Sequence, residues 1–395
     1  MLRSFLAALA LTATAATAQD APGISARIGE TGLAATAEHL RGADTPSDRL
    51  ALGGVLFLRA IERSLQTRWR HGMARTGGFL PVLRLPVPPN PQPEPFRPDL
   101  VNELFETLIG DMTAARAPLA EIADDDAAGM VLSLGDIWFD IDMDGTRAPD
   151  EDLMRVLGTT LRLRTPPGAA APTIRFDTAD AAWLAAYTHL LSAAGELVLA
   201  FDPAPQIARV QAAGAEMDAL GQGTGFANAY RMTMGTEIDI AAMILFSLHQ
   251  QPDAARTRSA RDHLLRMVAN NRLFWDRVAR ETDNFAEWIP NAAQVSALGV
   301  PVPPETGEVW QAVLSDAEDL LEGRKLIPFW RLQKGAGINL RRLLEDPAPV
   351  DPAEWIHGAG LLPYMETGPR IGSDNWWRLQ ELARGNAALF AVWLN

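Results

Sequence analysis

Three aspartates alternate with other residues in a twelve-residue segment of sequence DIDMDGTRAPDE. Asp140, Asp142 and Asp144 carry these carboxylates; Gly145 follows them directly, and Glu151 ends the segment. Ca²⁺ binds six to eight hard oxygens at about 2.3–2.6 Å, and alternate residues of a tight loop can bring carboxylates to one point. A glycine supplies the positive φ that a sharp turn needs. The spacing therefore predicts a cation-binding loop, with Ca²⁺ favoured over Mg²⁺ because so many carboxylates on a flexible loop suit the larger ion.

The segment resembles the calcium loop of EF-hand proteins, in the solitary, dockerin-like form found in extracellular proteins. The resemblance implies five ligands: Asp140, Asp142, Asp144, Thr146 through its backbone carbonyl, and Glu151 through both carboxylate oxygens. Arg147 departs from the family pattern, because paired loops usually carry an aliphatic residue at this position. The chain also has no second loop of this kind. We therefore expect a single structural Ca²⁺ site rather than a paired calcium sensor.

A solvated acidic turn is the alternative interpretation of the same segment. Seven carboxylates lie between residues 136 and 152, with Arg147 as the only basic residue among them. Without a cation these carboxylates would repel one another and could form a solvated loop. The proline and acidic residues at 149–152 favour the start of a helix directly after the loop, as an EF-hand requires.

Asp177, Asp180 and His189 could form an acid–base group. Another interpretation is that Asp177 caps a helix and Asp180 sits in its first turn, where the helix dipole favours acidic residues. His189 lies among Trp183 and Tyr187, where a packing histidine is usual. The sequence lacks the motifs of zinc proteases, serine hydrolases and P-loop proteins, so it leaves catalytic residues unknown.

Tryptophans concentrate in the C-terminal part of the chain, with seven of the 11 between residues 288 and 393. Exposed tryptophans stack on sugars and peptides, whereas buried ones fill the core. The segment 320–363 also contains a cluster of basic residues, Arg331, Lys334, Arg341 and Arg342. We expect a pocket for a polar or anionic ligand, if there is one, near Arg331, Trp355, His357 and Trp377. The alternative is a folded connection that packs onto helices.

The first 18 residues have the features of a secretory signal peptide. Arg3 precedes a short apolar run, and Ala16 to Ala18 form a cleavage site of small residues. The chain has no cysteine, a net charge of −14 and no basic run, which argues against nucleic acid and anionic membranes as partners. No later segment reaches the roughly 18 apolar residues of a membrane span. We expect a periplasmic or secreted protein, cleaved after Ala18.

Hydrophobic periodicity predicts a mainly α-helical fold with short β elements. The predicted helices cover residues 45–69, 99–116, 178–199, 237–250, 254–281, 304–322 and 373–393. Short strands are predicted at 160–164 and 173–177, where they could pair as a hairpin. Between them lies a Pro-rich turn at 166–172, which is the candidate boundary between an N-terminal region (19–165) and a Trp-rich C-terminal region (166–395). The two regions could also form one domain.

The sequence thus predicts an exported calcium-binding protein whose ion is structural. Two alternatives stay open: an envelope hydrolase that acts on glycan or peptide, and a non-catalytic module that binds cell-wall glycan or peptide. The missing motifs do not exclude an enzyme, because glycosidases use dispersed carboxylates.

Overall fold

The structure is a computed structural model that describes residues 23–42, 44–73, 80, 82–157, 170–220, 228–299 and 302–382, without the side chains of 228–233. The predicted signal peptide, the strand at 160–164 and the end of the last predicted helix lie outside these residues. The described residues form a mainly α-helical fold with short two-stranded sheets, which confirms the predicted fold class.

The helices follow one another along most of the described chain. They are α1 (Ile24–Leu40), α2 (Pro46–Arg70), α3 (Leu100–Leu119), α4 (Leu153–Val156), α5 (Thr178–Ala200), α6 (Ala204–Leu220), α7 (Asn228–Leu248), α8 (Ala254–Val278), α9 (Thr306–Leu321), α10 (Leu340–Glu345), α11 (Pro352–His357) and α12 (Asp374–Leu382). A 3₁₀ helix covers Ala359–Tyr364. Most of the predicted helices are present with nearly their predicted bounds, but α7 begins at Asn228 rather than near residue 237. Helices α1 and α6 and the short helices α10 and α11 were not predicted.

Two antiparallel strand pairs complete the fold: β1 (Gly129–Ser133) with β2 (Thr173–Asp177), and β3 (Ala336–Ile338) with β4 (Met365–Thr367). The first pair aligns Gly129 with Asp177 and Ser133 with Thr173. The strand predicted at 173–177 is therefore present, and its partner in the structure is β1, which precedes the acidic loop.

Helix α2 is the central element of the N-terminal half. Its start was predicted correctly: the Thr45 side chain accepts a hydrogen bond from the Asp48 amide, and Pro46 occupies the first turn. Helix α2 packs against α1, α3, α5 and β1. A single hydrophobic cluster extends from Ile24 to Leu379, so residues on both sides of the predicted boundary share one core.

A membrane span is not evident in any single helix of the described ranges. One bent pair, α5 with α6, meets the length and composition criteria together, with 57° between the two helices. Most of α5 is buried inside the protein.

Arg68 lies near the end of α2 and is fully buried. It holds the Pro-rich segment that follows the helix, residues 82–98. Its Nη1 donates to the carbonyls of Val82 at 2.7 Å and Leu85 at 2.8 Å, and its Nη2 donates to that of Met73 at 3.3 Å. Burial lowers the pKa of Arg68 to about 10, so the side chain stays charged at neutral pH. The segment after Leu85 is rich in prolines, which lack the backbone donors of regular structure.

Replacement of Arg68 by methionine should lower the free energy of unfolding by about 3 kcal/mol or more, because three buried carbonyls lose their donors. Urea unfolding followed by circular dichroism measures this change. Arg63→Met is the matched control on the same helix. Arg63 is half-exposed and pairs with Asp111, so its loss should cost less than about 1 kcal/mol. Equal, small changes in the two variants would contradict the role given to Arg68.

Candidate metal centre

The acidic loop at 140–151 is closed at its stem by backbone hydrogen bonds. The Phe139 amide donates to the Glu151 carbonyl at 2.9 Å, and the Leu153 amide donates to the Ile137 carbonyl at 3.0 Å. Phe139 and Ile141 are fully buried on either side of the first aspartate. The apolar residues at the start of the loop therefore anchor it to the core, while its acidic tip reaches solvent.

Helix α2 holds the first residue of the loop by both of its backbone groups. The Glu62 carboxylate accepts from the Asp140 amide at 2.8 Å, and the Gln66 side chain donates to the Asp140 carbonyl at 2.7 Å. Glu62 is buried and also pairs with Arg59. Burial raises the pKa of Glu62, while Arg59 and the Asp140 amide lower it. The position of Asp140 is thus fixed by side chains from a distant part of the sequence.

The three aspartates of the loop converge on one point. Oxygens of Asp140, Asp142 and Asp144 all lie within 4.8 Å of one another. Oxygens that share one Ca²⁺ at about 2.4 Å can be at most about 4.8 Å apart, so this spacing fits the ion. The turn between them depends on Gly145, whose φ is +74°.

Backbone amides of the loop orient these carboxylates. The Gly145 amide donates to Asp140 Oδ1 at 3.2 Å and the Asp144 amide to Asp142 Oδ1 at 3.1 Å. The Thr146 amide donates to Asp144 Oδ1 at 2.6 Å. Each aspartate therefore uses one oxygen to form the turn, and the set of hard anionic oxygens suits a calcium ion.

Glu151 occupies a different position from the one that the EF-hand resemblance implies. Its Oε1 accepts from the amides of Ile141 at 2.7 Å and Asp142 at 3.4 Å, and its Oε2 accepts from the Ala148 amide at 2.9 Å. Glu151 is only 2% exposed, and burial raises its pKa while these amides lower it. Here its carboxylate braces the two ends of the loop and does not join the converging oxygens of the three aspartates. Its role as a bidentate ligand stays a prediction.

Thr146 and Arg147 lie at the exposed tip of the loop. Thr146, the predicted carbonyl ligand, is exposed. Arg147 turns back to the stem, where it donates to Asp152 and to the Gly135 carbonyl, each at 2.7 Å. Arg147 therefore pairs with a carboxylate outside the converging group of three aspartates.

A second acidic cluster forms where β2 meets the segment after α8. Oxygens of Asp177, Glu281 and Glu287 lie within 4.8 Å of one another. Gln294 donates to Glu281 at 3.1 Å, and the Phe285 amide donates to Glu287 at 2.7 Å. Sequence reasoning missed the two glutamates because about a hundred residues separate them from Asp177 and they follow no local spacing rule.

Burial favours the protonated forms of the carboxyl groups in the second acidic cluster. Burial, followed by the charge of Asp177, raises the pKa of Glu281 to about 7. Burial also raises the pKa of Asp177, of Glu287 and, well above its ordinary value, of Asp180. Asp177 and Asp180 form the capping box at the start of α5, as the helix-capping interpretation predicted.

His189 lies apart from the second acidic cluster and pairs with His263 of α8. Their Nδ1 atoms are 2.8 Å apart, so one ring donates and the other accepts. Burial, with the nearby Arg116, lowers the pKa of His189 to about 3 and that of His263 as well. A neutral packing pair explains this geometry, and His189 is too far along α5 to share a proton directly with Asp177.

Of the four residues predicted to line a C-terminal pocket, only Arg331 and His357 are in direct contact in the described structure. Arg331 Nη1 lies 3.0 Å from His357 Nε2, and the Arg331 guanidinium covers the Trp330 ring at 4.7 Å. Trp355 packs behind this surface in a small apolar cluster. Trp377 is 60% exposed, and none of its hydrogen bonds or ring contacts within the described chain involves the other three residues.

A scan against models of known protein families and searches of curated proteins and of solved structures found no match to this chain. Interpretation of the sites therefore depends on their geometry and chemistry alone.

The second acidic cluster predicts a pH dependence of stability. A carboxyl whose pKa is raised in the folded state contributes stability that is complete below its unfolded value and is lost as the pH rises through its folded value. For Glu281 that window runs from 4.5 to about 7. Glu281→Gln mimics the protonated form and keeps an acceptor for Gln294. The variant should therefore gain stability relative to the wild type as the pH rises from about 5 to about 8.

Urea unfolding of both proteins across this range measures the difference. Comparison with the wild type cancels the opposite contribution of His189, whose lowered pKa removes stability as the pH falls below 6.5. Glu305→Gln, at an exposed carboxylate, is the control and should follow the wild-type curve. A constant difference between Glu281→Gln and the wild type would refute the assignment.

Proposed function

We propose that this chain is a calcium-binding protein in which one Ca²⁺, held in the loop at 140–151, stabilises the fold around α2. The convergence of Asp140, Asp142 and Asp144 within 4.8 Å is the observation that carries the proposal. Three carboxylates this close repel one another unless a cation or protons neutralise them. The residues that would hold the ion are these aspartates, with the Thr146 carbonyl and Glu151 as the further predicted ligands.

The anchoring of the loop favours a structural ion over a regulatory one. Glu62 and Gln66 fix the backbone of Asp140, and the loop stem joins buried residues on both sides. A calcium switch of the EF-hand type needs a helix pair that can open and expose an apolar groove. An ion in this loop would instead strengthen contacts that already connect the loop to α2.

The predicted export of the chain supports the same proposal. Free calcium outside the cytoplasm is expected near millimolar, and extracellular calcium modules bind with dissociation constants of about 10⁻⁴ M or weaker. A site of about 10⁻⁴ M would then be mostly occupied and would contribute about 1.4 kcal/mol to stability.

A second candidate function is binding or cleavage of a glycan or peptide. The supporting observation is the exposure of Trp330 and Trp377, which are 69% and 60% exposed, because exposed indoles stack on sugars. Turnover of a glycan or peptide panel would favour the envelope hydrolase, and saturable binding without turnover would favour the cell-wall module.

Isothermal titration with Ca²⁺ tests the calcium site directly. The wild type should bind one ion with a dissociation constant of the order of 10⁻⁴ M, and Mg²⁺ more weakly. Asp140→Asn combined with Asp144→Asn keeps acceptors for the turn but removes two anionic ligands, so affinity should fall by about a hundredfold or more.

Asp125→Asn combined with Asp150→Asn is the matched control. Both residues are exposed and lie outside the converging group, so this variant removes the same net charge. It should bind Ca²⁺ within about twofold of the wild type. Equal affinity in the two double variants would show that binding, if any, is non-specific attraction to an acidic surface.

A further inference from the structure

A partly open cavity of about 190 Å³ lies between α2, the β1–β2 pair and α5. Its walls are almost entirely apolar, with side chains from α2 such as Val55, Leu58 and Ile61 along one side. An apolar cavity of about 150 Å³ stays dry and accepts a molecule such as benzene. This cavity is somewhat larger, so it has room for a single ring with a small substituent.

Aromatic rings form a continuous wall of the cavity. The Phe57 ring meets that of Tyr187 edge-on at 5.8 Å, and Tyr187 stacks on Trp183 at 5.7 Å. Trp183 meets Trp288 at 5.5 Å, and Trp288 meets Phe176 at 5.9 Å. All five residues line the cavity. Such a wall offers both faces and edges to a flat apolar ligand.

The polar groups of the cavity wall favour a ligand that carries a hydrogen-bond acceptor. Trp288 Nε1 is buried and has no hydrogen-bond partner among the described residues. Indole and guanidinium groups only donate, and Arg84 is the one cationic residue among those that line the cavity in the described structure. Asp180 also lines it, but its carboxylate accepts from the Asp177 amide, and burial raises its pKa well above the ordinary value. Burial therefore disfavours the anionic form of Asp180 at this wall.

We propose that this cavity binds a compact, apolar, ring-containing molecule of about nine non-hydrogen atoms with one acceptor oxygen, carbonyl or carboxylate, directed to the wall formed by Trp288 and Arg84. The site is separate from the calcium loop, and the proposal does not depend on calcium. The apolar body of the ligand fills the space between α2 and the aromatic wall. Its oxygen accepts the hydrogen bond that the Trp288 indole does not make with any described residue.

Three probes of similar size test the proposal on the full chain. Isopropylbenzene has no acceptor, acetophenone replaces one branch by a carbonyl, and benzoate carries a carboxylate. Binding is followed by calorimetry and by the fluorescence of Trp183 and Trp288, which line the cavity. Acetophenone or benzoate should bind about fivefold more tightly than isopropylbenzene, the effect of one net hydrogen bond. If benzoate binds more tightly than acetophenone, the preferred acceptor of the ligand is a carboxylate. If acetophenone binds more tightly, the preferred acceptor is a carbonyl.

Two substitutions locate the binding. Trp288→Phe removes the indole donor, so the preference for acetophenone over isopropylbenzene should disappear while isopropylbenzene still binds. Leu58→Trp fills part of the cavity and should abolish binding of all probes. Leu56→Trp is its control, since Leu56 packs on the same core from α2 without lining the cavity. This variant should keep wild-type affinities.

The Trp288→Phe comparison decides the question even if Leu58→Trp does not fold. Absence of saturable binding by the wild type, for every probe up to its solubility, would overturn the proposal. An unchanged preference in Trp288→Phe, or unchanged binding in a folded Leu58→Trp, would overturn it as well.

Discussion

Two buried charged side chains on α2 hold the irregular parts of the N-terminal half in place. Glu62 accepts from the amide of Asp140, and Arg68 donates to the carbonyls of Val82 and Leu85. Burial of a charge is costly unless hydrogen bonds compensate for it, so each side chain must keep its partner. The acidic loop and the Pro-rich segment form little regular structure of their own. These two contacts help to fix their positions relative to the core.

The acidic loop and the core cavity share part of their framework. Ile137 and Leu153, which a backbone hydrogen bond joins at the stem of the loop, both line the cavity. Val82 and Leu85, whose carbonyls accept from Arg68, line it too. The contacts that fix the loop and the Pro-rich segment therefore also shape the cavity, although the two sites would bind different chemical species.

Local rules predicted much of the fold. The cap at Thr45, the start of α5 at Asp177 and the turn at Gly145 each depend on residues within a few positions of one another, which a sequence displays directly. Helix α1 was missed because Gly32, at φ +78°, breaks its periodicity. Helix α6 was missed because few of its side chains are buried.

The features of the candidate sites that were not predicted depend on packing between residues far apart in the sequence. Glu281 meets Asp177 only because α8 packs along α5, and the cavity exists only where α2, β1 and α5 leave a gap. The bracing position of Glu151 was also not predicted. It depends on the folded backbone of the loop, whose amides bind the carboxylate that the sequence assigned to an ion. No spacing rule in the sequence contains such information.

Thermal unfolding with calcium and with a chelator tests the central claim most directly. With a dissociation constant of about 10⁻⁴ M, Ca²⁺ at about 1 mM should add about 1.4 kcal/mol, which raises the midpoint by about 2 °C for a chain of this length. The rise should grow with the logarithm of the calcium concentration, and chelator should reverse it. An unchanged midpoint at all concentrations up to about 10 mM would contradict a structural calcium ion in the loop at 140–151.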